Sequence, residues 1–313
     1  MTTIIETNRL YLREFTIEDA EHFFYMNNDF DVIKHTGDTP FDSINDAKMF
    51  LKDYNQYKLH GMGRWAVCLK EDNTFLGWCG LKYHPKEKLV EVGYRFYKKF
   101  WNNGYATESA KASIKYGFEN LKLKDIYAHC HIDNLASQKV IEKCGLSFLN
   151  NGIYDNMPAK LYKTKNPYLN VKKISANETH SVRHPVLRAG CPIEDCIFDG
   201  DTLKTTYHLG LYFKKELIGV VTLMKNKHDF YIEKSQYQLR GMAILHAYQK
   251  KGLGELLILE AEKLLKDLQT ERLWLNAREV AVSFYKNQGY NINGDAFQIP
   301  KIGLHYTMSK KFI

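Results

Sequence analysis

Long apolar segments are absent from this sequence. Nowhere do about 18 apolar residues follow one another, which is the length that a membrane-spanning helix needs. Charged residues at Glu6, Arg9, Arg13 and Glu14 also interrupt the apolar segment that a secretory signal requires. We therefore expect a cytoplasmic protein that has no membrane partner.

Cysteine is sparse and irregularly spaced. One close pair, Cys191 and Cys196, is followed by no second pair at metal-ligand spacing. His129 and His131 flank Cys130 in a strand-like run, where neighbouring side chains point to opposite faces of a sheet. The sequence therefore predicts free thiols and no metal site.

Long runs of one charge are missing as well. The formal charge is +8, yet no five basic residues are consecutive. Such a surplus suits a phosphate-bearing cofactor, a nucleic acid or an acidic membrane. We interpret it as a solvated basic surface and predict no nucleic-acid partner. Salt-sensitive retention on DNA or RNA would favour the alternative.

What the sequence does contain is an internal repeat. The strand-like run Glu91–Phe96 precedes the loop Trp101–Ala106 and a helical pattern. In the same way, Gln238–Ile244 precedes the loop Gln249–Gly254 and a second helix. The loop glycines Gly104 and Gly252 lie 148 residues apart.

The repeat predicts two domains. A length of 313 residues suits two domains of about 150 each. The stretch Lys163–Pro167 is polar and ends in proline, which cannot supply a central strand with its hydrogen bond. We therefore expect domains at residues 1–167 and 168–313. One large domain is the alternative.

Each half alternates helix and strand signals, which predicts an α/β (α+β) fold with a mixed twisted sheet flanked by helices. Trp65–Leu69 and Phe75–Cys79 indicate a hairpin. A helix is expected over Asp46–Tyr57. Apolar residues from Leu253 to Leu268 recur at the spacing of a half-buried helix.

The two glycine loops have the properties of an anion site. Each follows a strand and opens a helix, whose first backbone N–H groups are unpaired and carry partial positive charge. Glycine lets the backbone approach a bound pyrophosphate closely. Neither loop has the G-x-G-x-x-G spacing of a nicotinamide fingerprint or the Gly-Lys-Ser/Thr ending of a P-loop.

Both halves resemble the GNAT N-acetyltransferase superfamily. Gln249–Gly254 is similar to its Q/R-x-x-G-x-G/A loop, and Trp101–Glu108 is similar to the same loop in the Rim-type branch of ribosomal-protein N-terminal acetyltransferases. Thr7–Arg13 and Asn134–Ser137 resemble further motifs of that branch. The second half resembles an uncharacterised bacterial branch, for example at Ala281–Tyr285.

The resemblance implies acetyl-CoA as donor and a primary amine as acceptor. Loop amides would hold the pyrophosphate, and strand residues with Asn134 would hold the pantetheine arm. The cofactor-binding residues that it implies are Asn102, Asn103, Gly104, Tyr105, Ala106, Thr107, Asn134, Met242, Ile244, Gln249, Lys250, Lys251, Gly252, Leu253, Gly254 and Glu255.

The resemblance also implies a general acid in the second half. Tyr285 lies four residues before Gly289, where family members often have the tyrosine that protonates the thiolate. An aromatic residue packed beneath the helix is the alternative. The first half has Ile141 at this position, so Ser137 or water would have to serve, although Ser137 is equally suited to cap a helix.

Two further residues are candidate bases. Glu91 heads the strand before the first loop and would act through water; a solvent-facing carboxylate is the alternative. His305 lies near the C-terminal strand, and histidine as a residue type can act as a base near neutrality; a buried histidine with satisfied hydrogen bonds is the alternative.

The sequence thus predicts a tandem acetyltransferase without a metal, acting on a small amine, an amino-acid-like molecule or a protein N-terminus. In the alternative, only one half catalyses and the other is a CoA-binding or structural module, which Ile141 favours. The oligomeric state stays open between a monomer with an internal pseudo-dimer and a homodimer.

Overall fold

The computed structural model describes residues 2–300 and 302–312. The chain divides into two compact units, one reaching to Asn166 and the other starting at Pro167. No helix in the described residues is both long and apolar enough to cross a membrane. All six cysteines are free thiols.

The first unit contains a mixed sheet with the strand order β1-β2-β3-β4-β5-β6-β8-β7. Its strands are β1 (Thr3–Glu6), β2 (Leu10–Arg13), β3 (Arg64–Leu69), β4 (Phe75–His84), β5 (Leu89–Phe96), β6 (Asp125–His131), β7 (Ser147–Tyr154) and β8 (Met157–Lys165). Its helices are α1 (Ala20–Asn27), α2 (Phe30–Ile33), α3 (Ile44–Asp53), α4 (Gln56–His60), α5 (Tyr105–Glu119) and α6 (Leu135–Lys143).

The second unit has the strand order β14-β16-β13-β12-β11-β10-β9, with β15 also paired to β16. Its strands are β9 (Leu169–Ile174), β10 (Thr206–Phe213), β11 (Glu216–Lys225), β12 (Gln236–Ile244), β13 (Arg272–Arg278), β14 (Asn291–Ile292), β15 (Phe297–Ile299) and β16 (Gly303–Lys311). Its helices are α7 (Ala176–Leu187), α8 (Leu253–Asp267) and α9 (Val282–Asn287).

Helices cover both faces of each sheet, because neighbouring strand residues point to opposite sides. In β3, Trp65 packs edge-on against Tyr116 of α5, whereas Ala66 joins a core cluster with α1 and α3. In β11, Val221 packs with α8, whereas Val220 packs with Val182 of α7. The predicted fold class, a mixed sheet flanked by helices and built twice, is confirmed.

Two predicted helices end elsewhere. The helix expected over Asp46–Tyr57 is split into α3 and α4, because Tyr54 has an extended backbone with ψ 101°. The apolar face of the second helix was expected to reach Leu268, but α8 ends at Asp267 and Leu268 is exposed. The expected hairpin of β3 and β4 is present as an antiparallel pair.

We predict that Leu257→Ala destabilises the second unit by about 2–5 kcal/mol, since it removes a fully buried side chain from the core. Leu259→Ala on the same helix is the matched control, because Leu259 is 50% exposed and its loss costs at most about 0.5 kcal/mol. Hydrogen exchange of the α8 amides measures both. Equal effects of the two changes would contradict the packing of α8.

Candidate functional site

An opening between two parallel strands lies at the centre of each sheet. In the described residues, β5 and β6 are paired only at Glu91 and Tyr127, although both strands continue beyond this point. In the described part of the second unit, β12 pairs with β13 only over Gln236–Gln238. Beyond these pairs the strands leave backbone groups free of sheet hydrogen bonds, which can bind an extended ligand.

A loop with the same backbone conformation follows β5 in the first unit and β12 in the second. Asn102 and Gly104 have positive φ values of 64° and 80°. Lys250 and Gly252 repeat this with 60° and 73°. Left-handed residues turn successive N–H groups toward one side, which forms an anion-binding concavity.

Each loop is fastened to its strand by one side chain. Trp101 donates from Nε1 to the carbonyl of Phe96 at 2.9 Å. Gln249 donates from Nε2 to the carbonyl of Ile244 at 2.8 Å. In both cases the acceptor lies five residues earlier, so a tryptophan in one unit and a glutamine in the other connect the loop to its strand. The predicted cofactor residue Gln249 therefore shapes the loop.

The other loop residues lie at the first turns of α5 and α8, whose N-caps are Gly104 and Gly252. Leu253 is buried in the core, so only its backbone faces the loop. The Glu255 N–H donates to the Gly252 carbonyl at 3.3 Å, so this amide already has a hydrogen bond within the turn. The remaining members of the predicted set are Asn103, Tyr105, Ala106, Thr107, Lys251 and Gly254.

In the second unit, the predicted acid and the predicted pantetheine strand meet. The hydroxyl of Tyr285 lies 3.5 Å from Sδ of Met242, which is a weak acceptor. Burial raises the pKa of this hydroxyl, so it stays protonated. The methyl of Met242 also lies 3.1 Å from the position that a Cβ at Gly254 would occupy, so helix and strand approach closely here.

In the first unit, a second tyrosine lies near the corresponding position. Ile141 is buried, but the hydroxyl of Tyr94 lies 2.9 Å from Oγ of Ser137. Asn134 caps α6 by accepting from the Ser137 N–H at 3.0 Å. The suggested capping role of Ser137 is therefore wrong, since Asn134 is the cap and the Ser137 hydroxyl is bonded to Tyr94.

Glu91 is a buried anion rather than a solvent-facing carboxylate. Its Oε2 accepts from Nη2 of Arg64 at 2.6 Å and lies 3.0 Å from Nε2 of His84. Its Oε1 lies 3.4 Å from Nδ1 of His129. Burial alone raises the pKa of Glu91, but the Arg64 charge and the two histidines hold it well below its usual range. Such a carboxylate is a weak proton acceptor.

All of these first-unit groups except His84 line one cleft of about 480 Å³. It runs past Tyr94, Ser137 and Asn134 to Glu91 and His129. The ring of Tyr154 stacks on His129 with centroids 4.1 Å apart, which fixes the imidazole in the cleft wall. In the described part of the chain, no group of three or more histidine, cysteine or acidic side chains is arranged to hold a metal ion.

His305 has the surroundings of a structural histidine. It is buried in β16, and its Nδ1 lies 2.8 Å from the carbonyl of Gly303. Its ring packs against Phe297. These surroundings match the alternative that the sequence left open, a buried histidine with a satisfied hydrogen bond.

The second unit has an open cleft with charges of both signs. The side chains that line it are Arg188, Glu194, Asp195, Ile197, Phe198, Asp199 and Arg240. The guanidinium carbons of Arg188 and Arg240 lie 5.4 and 5.1 Å from the centroid of the Phe198 ring. Neither arginine forms an ion pair within the described residues, whereas the buried Arg183 beneath the ring is paired with Asp201.

Sequence reasoning missed Arg64, Tyr94 and Phe198. Arg64 is far from the loops in sequence, and only strand pairing brings it beside Glu91. Tyr94 offered a signal, since it lies in the strand before the loop, but its side-chain direction depends on the pleat. Phe198 lies in a segment with no motif.

Each unit matches a known family model. Residues 9–147 match the acetyltransferase (GNAT) domain, and residues 176–290 match the acetyltransferase (GNAT) family. The chain is 35% identical over 142 residues to the uncharacterised N-acetyltransferase YitI of Bacillus subtilis, covering 45% of this chain and 95% of that protein.

Two further proteins are similar over about half of the chain. The uncharacterised N-acetyltransferase p20 of Bacillus licheniformis is 32% identical over 149 residues, which cover 47% of this chain and 83% of that protein. A solved acetyltransferase (GNAT family) structure from Bacillus anthracis is 30% identical with a TM-score of 0.46, covering 52% of this chain and 98% of that one.

We predict that Gly104→Glu and Gly252→Glu each remove one acetyl-CoA site, because the new carboxylate repels the pyrophosphate. Gly104→Asn and Gly252→Asn are matched controls, since asparagine tolerates positive φ and adds no charge. Calorimetric titration of the intact chain should give two sites for the wild type and the controls, and one for each glutamate variant. The prediction for the first loop would be wrong if the wild type showed a single site and Gly104→Glu left that site unchanged.

Proposed function

The chain belongs to the acetyltransferase (GNAT) family and takes its acetyl group from acetyl-CoA; on this premise we propose that it transfers the group directly to a primary amine. The observation that carries the proposal is the repeated arrangement of a separating parallel strand pair and a loop with two left-handed residues. The loop amides are suited to the pyrophosphate, and the free strand edge to the pantetheine arm.

In the second unit, we propose Tyr285 as the group that protonates the leaving thiolate. Within the described residues, the only hydrogen-bond partner of its hydroxyl is a thioether, so its proton is available to a stronger acceptor. Met242 and Ile244 would line the pantetheine arm, because both lie on β12 beyond its last pairing with β13. The second unit therefore has both the loop Gln249–Gly254, with its two glycines, and a tyrosine hydroxyl to act as the acid.

The acceptor of the second unit is proposed to be amino-acid-like. Arg188 and Arg240 would bind its carboxylate, because both line the cleft and form no ion pair within the described residues. Asp195 and Asp199 supply the opposite charge for an ammonium group in the same cleft. A simple alkylamine would satisfy only one of the two charge pairs.

The first unit is proposed to act on a different amine, such as a protein N-terminus. Tyr94, whose hydroxyl donates to the Ser137 carbonyl at 3.1 Å and lies 2.9 Å from Oγ of Ser137, is proposed as the phenol that substitutes for the tyrosine missing at Ile141. Burial raises the pKa of Tyr94, and the bond to Ser137 offsets part of this shift. The second candidate function keeps only one catalytic half, with the other as a CoA-binding module, and Ile141 is the observation that favours it.

We predict that Tyr285→Phe lowers the turnover number of the second unit by roughly 100-fold, the lower end of general acid catalysis. Affinity for acetyl-CoA should change little, since the phenyl ring keeps its packing. Steady-state kinetics in the Gly104→Glu chain, which reports on the second unit alone, measure turnover, and calorimetry measures affinity. An unchanged turnover number would remove the role of general acid from Tyr285.

We predict that Arg240→Met raises the KM for amino acids by about 10-fold or more, the usual worth of a charged hydrogen bond. The KM for alkylamines should stay within about 2-fold. Lys263→Met is the matched control, because it removes one exposed positive charge on α8. A parallel loss for both acceptor classes would contradict carboxylate recognition, whereas failure to acetylate any amine would contradict the function itself.

A further inference from the structure

We propose that His129 is the proton acceptor of the first unit and that Glu91 is its positioning residue. The inference rests on the proposed function of that unit and concerns how the amine loses its proton there. Amines are largely protonated at neutral pH, with pKa values of about 8 for an α-amine and 10.4 for lysine. A base beside the cleft is therefore needed before the nitrogen can attack.

The hydrogen-bond partners of His129 determine which nitrogen is basic. An ionised carboxylate can only accept hydrogen bonds, so Nδ1 of His129, 3.4 Å from Oε1 of Glu91, carries the proton. Nε2 of the neutral ring is left with a free electron pair. The long distance suits a ligand-free site, where catalytic hydrogen bonds are often loose and tighten with substrate.

His131, two residues along the same strand, has the opposite tautomer. Its Nδ1 accepts from the backbone N–H of Asp133 at 3.1 Å, which is closer than the Asp133 carboxylate at 3.7 Å, so the proton of the neutral ring lies on Nε2. His131 also lines the cleft, but the nitrogen not engaged by the backbone is a donor. His84 binds Glu91 from the other side and is not among the side chains that line the cleft.

Glu91 is better suited to orient a base than to be one. Arg64 binds its carboxylate and also donates to the carbonyls of Gly80 and Glu91, so this cation is fixed. Glu91 faces Nδ1 of His129 and is itself bonded to Arg64 and His84, while Tyr154 stacks on the face of the His129 ring. Lys82, His131 and Asp155 line the same cleft. Glu91 thus holds the tautomer and stabilises the imidazolium that forms.

The proton balance of the step closes with these groups. The acceptor ammonium gives one proton to Nε2 of His129, and the nitrogen electron pair forms the new C–N bond at the acetyl carbonyl. The C–S bond breaks, and sulfur keeps its electron pair. The second nitrogen proton reaches sulfur through the Tyr94 hydroxyl, and the imidazolium returns its proton to water.

The test uses the intact chain carrying Gly252→Glu, so that acetyl transfer reports on the first unit. The probes are acetyl-CoA with short peptides, spermidine and free amino acids. His129→Gln should lower kcat/KM by about 100-fold, because glutamine still donates to Glu91 but offers no basic nitrogen. Calorimetric affinity for acetyl-CoA should stay within about 2-fold. His60→Gln, outside the cleft, is the matched control and should retain full activity.

A second readout does not depend on turnover. Nitrogen NMR of the intact chain, assigned by difference from His129→Gln and recorded where the rings are neutral, should place the proton at Nδ1 of His129 and at Nε2 of His131. Full activity of His129→Gln, or the reverse tautomer, would overturn the inference alone. No transfer by the Gly252→Glu chain to any probe would overturn the proposed function of the first unit, and the base with it.

Discussion

Each unit depends on two parallel strands that separate after a few residues. Parallel strands must be joined by a crossover, and here the crossover contains α5 or α8. The loop after the first strand of each pair, β5 or β12, therefore leads into a helix N-terminus. This brings unpaired helix N–H groups and unpaired strand edges to the same place. Binding of a long donor with a pyrophosphate follows from that constraint, because both parts of the ligand find free backbone donors along one path.

The two units differ in how they use a buried arginine. Arg64 neutralises Glu91, and the remaining capacity of that carboxylate goes to histidines at the first cleft. Arg183 is paired with Asp201 and contacts Phe198, and two further arginines, which form no ion pair in the part of the chain that the structure describes, lie against the same ring. Removing either buried partner would leave an uncompensated charge, which is strongly destabilising. The same fold therefore presents His129 beside a paired carboxylate in the first cleft, and Arg188 and Arg240 in the second.

Particular residues mark the limit of sequence reasoning. The loops were predictable, because glycine at Gly104 and Gly252 and the strand before each are local signals. The break at Tyr54 was not predictable, because the helical periodicity of the sequence continues through it. In the structure, the Tyr54 hydroxyl accepts a hydrogen bond from the Arg64 N–H at 2.6 Å, a contact between residues ten positions apart. His305 carried the right chemistry for a base, but its burial depends on the pairing of β16 with β13 and β15.

The sequence by itself determined the repeated loops, the mixed sheet built twice and the family, since these depend on spacing within short segments. Only the tertiary structure decided which side chains meet in the clefts. Glu91, Arg64 and His129 lie on three strands, and Arg240 and Phe198 are joined by a fold that spans more than 40 residues. Their charges and hydrogen-bond partners depend on distances of a few ångströms, which no pattern along the chain specifies.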